Sequence, residues 1–117
     1  MAFLYEKVKN DQWKKIMVDL ATWIMEEMPR TPEGGIQHQH EELENHGDLW
    51  DDTLFMTCLF LAKAGKIFNR QDWVNEATYQ VLLHMKYLID KETGLWFHAF
   101  SFDNNDNYAN ALWGRGN

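Results

Sequence analysis

Apolar residues recur at helical spacing in three stretches of the chain. Trp13, Ile16, Met17, Leu20, Ile24 and Met28 fall on one side of a helix that starts at Asn10 or Asp11 and ends at Met28. Either Asn10 or Asp11 can accept the first free backbone N–H groups, and Pro29, which cannot continue a helix, stops it. Trp23 and Met25 widen the apolar face beyond one stripe, as in a helix packed between neighbours. A second helix is predicted from Asp51 to Ala64, with Leu54, Phe55, Cys58, Leu59, Leu61 and Ala62 apolar and Gly65 just past its end. It is apolar nearly all round and is therefore expected to be buried. The third runs from Gln71 to Ile89, with Trp73, Val74, Ala77, Val81, Leu82, Met85 and Leu88 along one side.

Between these helices the pattern breaks down. From Pro29 to Asp48 the chain carries Pro32, Gly34, Gly35 and Gly47 among few apolar residues, which predicts a long loop with short turns. A loop of that length in a small domain is more often functional than idle. Asp90 to Gly94 reads as a turn. Leu95 to Phe102 is aromatic without helical spacing and is expected to be extended, as a short strand or hairpin. Asp103 to Asn117 is Asn-rich and irregular, with one turn of helix beginning near Tyr108. Helices predominate, so the fold class is all-α, built from antiparallel helical hairpins.

Composition narrows the function classes. A hydrophobic fraction of 45% is enough for a core, which argues against disorder. Six Trp residues in so short a chain point to cores, interfaces or sugar platforms, where a flat apolar surface with one polar handle is needed. A net charge of −7 with no stripe of Lys or Arg argues against nucleic-acid binding. Cys58 stands alone in an apolar run, as a small buried residue that fits a reducing compartment. The first residues lack the apolar stretch of a signal peptide, and no apolar run is long enough to span a bilayer. A cytoplasmic protein without a membrane partner is expected.

Candidate chemistry gathers at two places. Asp51 and Asp52 fall where the second helix begins, so one of them can serve as its N-cap while both gain from the positive end of the helix dipole. A catalytic carboxylate pair is the alternative at the same positions. The loop before them holds His38, His40 and His46 with Glu41, Glu42 and Glu44, residue types that bind transition metals. Their spacing fits no standard metal motif, so neither a metal nor another cofactor is expected.

Three segments taken together carry a resemblance: Leu49-Trp50-Asp51-Asp52-Thr53-Leu54-Phe55-Met56, Thr93 to Asp103, and Ala109-Asn110-Ala111-Leu112-Trp113-Gly114-Arg115-Gly116-Asn117. In this order they resemble the unsaturated rhamnogalacturonyl hydrolases of glycoside hydrolase family 105 and their unsaturated glucuronyl hydrolase relatives. The resemblance implies an (α/α)6 toroid of the six-hairpin glycosidase type, of which residues 1–117 are expected to form one partial domain, the N-terminal third, truncated at its C-terminus.

The same resemblance implies a hydration. An acid protonates carbon 4 of a 4,5-unsaturated uronic acid, water adds at carbon 5, and the resulting hemiketal opens to release the neighbouring sugar. Such chemistry needs a carboxyl group titrating near working pH and no metal. By this match Asp52 is the functional carboxylate and Asp51 a variable neighbour. The family's second Asp falls at Ser101 here, which leaves Asp103, two residues on, as the candidate donor; an Asx-turn role is its alternative. Ala99 and Phe100 replace the usual Gly and Trp. By the same resemblance His98 would bond sugar hydroxyls, the rings of Trp96 and Trp113 would pack on sugar faces, Trp50 and either His38 or His46 would contribute to the sugar pocket, and Arg115 would pair with the uronate carboxylate through its bidentate fork.

Three functions remain open on the sequence: a hydrolase of this family acting on unsaturated uronide oligosaccharides, a non-catalytic remnant of it folded as a homo-oligomer, and a carbohydrate- or metal-binding module. Helices cut off from the rest of a toroid would expose apolar surface, so a homo-oligomer is expected.

Overall fold

The computed structural model describes residues 2–38, 47–108, 111–112, 114 and 117. Helices α1 (Ala2–Val8) and α2 (Asp11–Glu26) come first. After the loop come strand β1 (Asp48–Trp50), a short α3 (Asp51–Thr53), a π-helical turn over Leu54–Cys58 and α4 (Leu59–Phe68). Then follow α5 (Gln71–Leu88), β2 (Ala99–Ser101) and β3 (Asp106–Asn107).

Capping of α2 falls to Asn10, whose side chain accepts from Trp13 N at 3.0 Å. At the other end Arg30 donates to the carbonyls of Ile24 at 2.9 Å and Met25 at 3.3 Å, satisfying acceptors that every helix C-terminus leaves open. Helix α1 was not anticipated. Seven residues are too few to hold a helix alone; α1 is held by burial of Ala2 and of Tyr5, whose ring meets Phe68 at 5.4 Å.

Met17, Ala21 and Ile24 of α2, Leu61 and Ala64 of α4, and Trp73 and Ala77 of α5 form the core with Ile36 from the loop. Each large apolar side chain taken fully out of water there contributes about 1.5–3 kcal/mol. The second predicted helix is longer than expected. It continues through Gly65 to Phe68 and ends at Asn69, which takes the left-handed conformation at φ 54°. Gly65 is kept small by packing: a Cβ there would stand 2.7 Å from Val74 Cγ2 and 2.9 Å from the Arg70 carbonyl, so it lets α4 and α5 approach closely.

That helix is also not buried all round. Phe55, Met56 and Leu59 are exposed, as is Leu82 on α5, because no other described element covers that side. Between them runs an open apolar groove of about 330 Å³ lined by Leu54, Cys58, Leu59, Ala62, Ala77, Thr78 and Val81. Helix α5 likewise buries only part of its predicted apolar stripe, Trp73, Ala77 and Leu88. Gln80 and His84 are fully buried while Val81, Leu82 and Met85 are exposed. The reason is polar: Gln80 accepts from Ile36 N and donates to the Gly34 carbonyl, both at 2.8 Å, and so ties the loop to the helix.

The π turn was also not anticipated. Within it the backbone ladder lengthens, and the buried Thr57 hydroxyl donates to the Thr53 carbonyl at 2.6 Å. Thr57→Val keeps the shape and removes this bond, and is expected to cost about 1–2 kcal/mol, read as a lower urea midpoint with an unchanged slope.

The extended segment near 95–102 forms a small sheet in the order β1-β2-β3, antiparallel throughout. Asp48 pairs with Ser101, Leu49 with Phe100 and Trp50 with Ala99. Side chains alternate across such a ladder. Leu49 and Phe100 accordingly face the helices, where Phe100 and Phe102 pack with Tyr87 at 4.8 and 4.7 Å. Asp48, Trp50 and Ser101 occupy the opposite face. Gly47, at φ 75°, makes the sharp entry into β1 in a conformation that side chains resist. Strand β3 replaces part of the stretch expected to be irregular.

Candidate active site

The opposite face of the sheet and the start of α3 hold the polar side chains in question. Trp50 ends β1 and occupies the N-cap position of α3 without a side-chain cap bond, so neither Asp51 nor Asp52 caps the helix. The capping expectation is thereby corrected: the strand runs straight into the helix, and the two carboxylates become its first two residues. There they still sit at the positive end of the helical segment, which favours negative charge.

Asp51 turns inward, with only 6% of its surface exposed. Its Oδ1 accepts from His98 Nδ1 at 3.1 Å, and its backbone N–H donates to the His98 carbonyl, also at 3.1 Å. Its Oδ2 is buried with no hydrogen-bond partner among the described residues. Asp52 is more open, and its Oδ2 lies 3.9 Å from His98 Nδ1, beyond hydrogen-bond reach. Burial pushes the Asp51 carboxyl above its ordinary range; the His98 charge opposes this and the neighbouring Asp52 adds to it.

That direction has a consequence for stability. The folded state holds the Asp51 proton more tightly than the unfolded chain, so this group stabilises the fold at low pH. Its contribution fades as pH rises from about 4, the ordinary aspartate value, through the raised one. Urea midpoints of the wild type and Asp51→Asn, compared across that window, are expected to move in favour of the variant as pH rises. A constant difference would contradict the assignment.

Aromatic rings line the same face. The His38 ring stacks on Trp50 at 4.4 Å and 9°, and its Nδ1 lies 2.8 Å from the Thr53 hydroxyl. His98 meets Trp50 edge-on at 4.8 Å, and Tyr108 does so at 6.4 Å. The Tyr108 hydroxyl donates to Oδ2 of the buried Asp48 at 2.7 Å. This bond, with the burial that accompanies it, raises the Tyr108 hydroxyl above its usual range. Asp48 and Tyr108 were not among the residues singled out from the sequence. A three-residue strand inside a polar stretch carries too little alternation to reveal that Asp48 and Trp50 share a face.

Of the other sequence candidates, Asp103 is exposed in the turn between β2 and β3, at the opposite end of β2 from His98 and beside Gly47. Trp96 is half-buried. Its backbone N–H donates to Asn117 Oδ1 at 2.6 Å and its carbonyl accepts from Asn117 Nδ2 at 3.0 Å, so the last residue of the chain lies beside it. His46, Trp113 and Arg115 lie outside the described residues, as does His40. The structure thus brings Asp52, His98 and Trp50 together, adds Asp51, His38 and Tyr108, and sets Asp103 apart.

Asp51, Asp52 and His98 each offer a ligand atom, all within 4.8 Å of one another. The closest of these atoms, Asp51 Oδ1 and His98 Nδ1, are hydrogen-bonded to each other, an arrangement suited to holding a proton between them more than to chelation. A partly exposed carboxylate beside a hydrogen-bonded imidazole is a grouping able to exchange protons.

Comparison with known proteins bears on the same residues. The family model described as Glycosyl Hydrolase Family 88 matches residues 1–117. The unsaturated rhamnogalacturonyl hydrolase YesR of Bacillus subtilis (strain 168) is 28% identical over 119 residues, covering 100% of this chain and 35% of its own. Among solved structures, a possible member of the GH105 family from Salmonella enterica serovar Paratyphi A is 54% identical with a TM-score of 0.94, over 98% of this chain and 30% of that one. Another possible GH105 member, from Klebsiella pneumoniae, is 49% identical with a TM-score of 0.94, over 99% of this chain and 30% of that one. The chain therefore spans about a third of the length of the proteins it matches, and its helices overlay those of part of a GH105 fold.

Proposed function

Because the chain belongs to glycosyl hydrolase family 88, we propose that it carries one wall of a site that hydrates the 4,5-double bond of an unsaturated uronide at the end of an oligosaccharide, of rhamnogalacturonan type. The observation that supports this most directly is the grouping of Asp52 with His98 and Trp50 at the junction of β1 and α3. Asp52 works on the proton chemistry: its carboxyl delivers a proton to carbon 4 while a water molecule adds its hydroxyl to carbon 5, and the proton that the water gives up returns to the Asp52 carboxylate. The hemiketal so formed opens and frees the neighbouring sugar. Trp50 packs against the sugar and His98 bonds a hydroxyl. Asp103 lies at the far end of β2, which favours Asp52 over it as the working carboxylate. Trp96, Trp113, His46 and Arg115 complete the binding surface in this reading.

The exposed apolar side chains Phe55, Met56, Leu59 and Leu82 and the groove between them support self-association of the 117-residue chain, so it would work as a homo-oligomer. No helix among the described residues is long and apolar enough to cross a membrane. Cys58, the single cysteine of the sequence and buried, fits work in the cytoplasm.

The test is loss of the ultraviolet absorbance of the conjugated uronate in an unsaturated rhamnogalacturonan disaccharide. It is run with the chain alone and with the chain substituted for the matching segment of YesR, molar mass being measured in parallel. Clearance of the disaccharide by either form is the expected result. A folded substituted enzyme that leaves the absorbance untouched would remove the reading.

A further inference from the structure

A carboxylate taken out of water needs a compensating partner. Asp48 is 3% exposed, and no step of the proposed chemistry uses it. Its Oδ2 accepts from the hydroxyl of Tyr108, sixty residues further along the chain, at 2.7 Å. Strand register makes this meeting possible. Asp48 and Trp50 share the sheet face that looks away from the helices, and Tyr108 is the residue directly after β3 in the same sheet. The Tyr108 ring meets that of Trp50 edge to face, at 6.4 Å and 65°. It is not a core ring, since 41% of the residue is exposed. The hydroxyl is thus engaged by a buried group while the ring stays open to solvent beside Trp50. The bond to Asp48, with some burial, raises the hydroxyl above its usual range, so the proton that makes this bond stays on Tyr108 at neutral pH.

We infer that Tyr108 is a further sugar-contact residue, offering its ring beside Trp50, and that Asp48 is its positioning residue, holding that ring by the hydroxyl. This rests on the reading of the site as a sugar site. An aromatic ring gives the C–H groups of a sugar an apolar surface while leaving the hydroxyls to other partners. Two rings set at an angle form a corner, which accepts a flat sugar in fewer orientations than one ring does. A tyrosine has only two side-chain torsions, and a hydroxyl tied to Asp48 restrains both, so little freedom remains to be lost when a ligand arrives. Asp48 itself touches no ligand in this arrangement and acts through Tyr108 alone. That separates it from Asp52, which lies at the start of α3 and carries the proton chemistry.

The experiment follows the Trp50 indole and Tyr108 ring signals of the 117-residue chain by NMR, assigned through their backbones, while an unsaturated uronide disaccharide is added. Both are expected to shift with one dissociation constant. Tyr108→Phe keeps the ring and removes its anchor, and is expected to weaken binding by about 5-fold, the net effect of one hydrogen bond. Asp48→Asn keeps an acceptor in place and is expected to weaken binding less. In the Tyr108→Phe background Asp48→Asn should have no further effect on binding, because the bond through which it acts is already gone. Additive losses would overturn the role of Asp48. So would a wild-type Tyr108 hydroxyl that titrates like a free tyrosine, at about pH 10, whether or not the variants fold. A disaccharide that shifts Trp50 and leaves Tyr108 untouched would overturn the ring contact and uphold the sugar-site reading. One that shifts neither would overturn that reading and the ring contact with it, leaving the titration to decide whether Asp48 holds Tyr108.

Discussion

Asp52→Asn, introduced into the YesR protein that carries this chain in place of its matching segment, is expected to lower the rate of ultraviolet absorbance loss by about 100- to 10,000-fold, the usual contribution of a general acid or base. The substitution keeps the size and planarity of the side chain and removes its ability to donate and recover a proton. Asp52 is not the group that His98 Nδ1 bonds, so the ring should keep its place. The loss should therefore fall on kcat, with KM little changed, since orientation and stacking survive in His98 and Trp50. Asp103→Asn in the same protein is expected to change the rate far less, because the turn it occupies lies at the other end of β2. If the two substitutions traded places, with Asp103→Asn the severe one, the assignment of the working carboxylate to Asp52 would fall.

How far the sequence revealed this arrangement depended on the length over which each signal repeats. Helices α2 and α5 carry several turns of regular apolar spacing, and both lie where that spacing puts them, within two residues at their ends. Helix α1 has two turns and little pattern, and it exists because Tyr5 finds Phe68, a contact no local window contains. The π turn leaves no trace in apolar spacing either. Exposure was misjudged for a different reason. The pattern around Phe55, Met56 and Leu59 says that these positions are apolar, but whether they are covered depends on what packs there, and nothing among the described residues does.

The grouping of the candidate site's side chains was legible in outline, and which carboxylate meets His98 was not. The residues of Trp50-Asp51-Asp52 and His98 stood out by motif, and the structure joins them. The motif ranked Asp52 above Asp51, and helix-start chemistry offered a cap for either. The cap position went to Trp50 because β1 pairs with β2 up to that residue, and this pairing joins segments about fifty residues apart. Once the strand continues into the helix, Asp51 is the residue that faces His98. Such a role is set by strand register, and register is fixed by contacts that the local sequence does not contain.

Trp73→Ala is expected to abolish the cooperative thermal transition of the chain. Trp73 is 1% exposed and sits where α4, α5 and the loop after α4 meet. Phe68 meets its ring edge-on at 6.3 Å, and the Arg70 guanidinium lies 4.5 Å from the ring centre. Removing the indole leaves a cavity that these neighbours cannot fill without moving α4 away from α5, and Gly65 already holds those helices in close contact. Truncations of this kind cost about 3–5 kcal/mol, against a total of only about 5–15 kcal/mol for a typical domain. A chain with apolar side chains left in water is expected near the lower end of that range. Trp23→Ala provides the control: Trp23 is 43% exposed on α2, and its loss should stay within about 0.5 kcal/mol. Circular dichroism on heating both variants decides the matter. Trp73→Phe should recover much of the transition, since a smaller ring still fills part of the space. Equal losses from Trp73→Ala and Trp23→Ala would mean that the core does not lie where α4 meets α5.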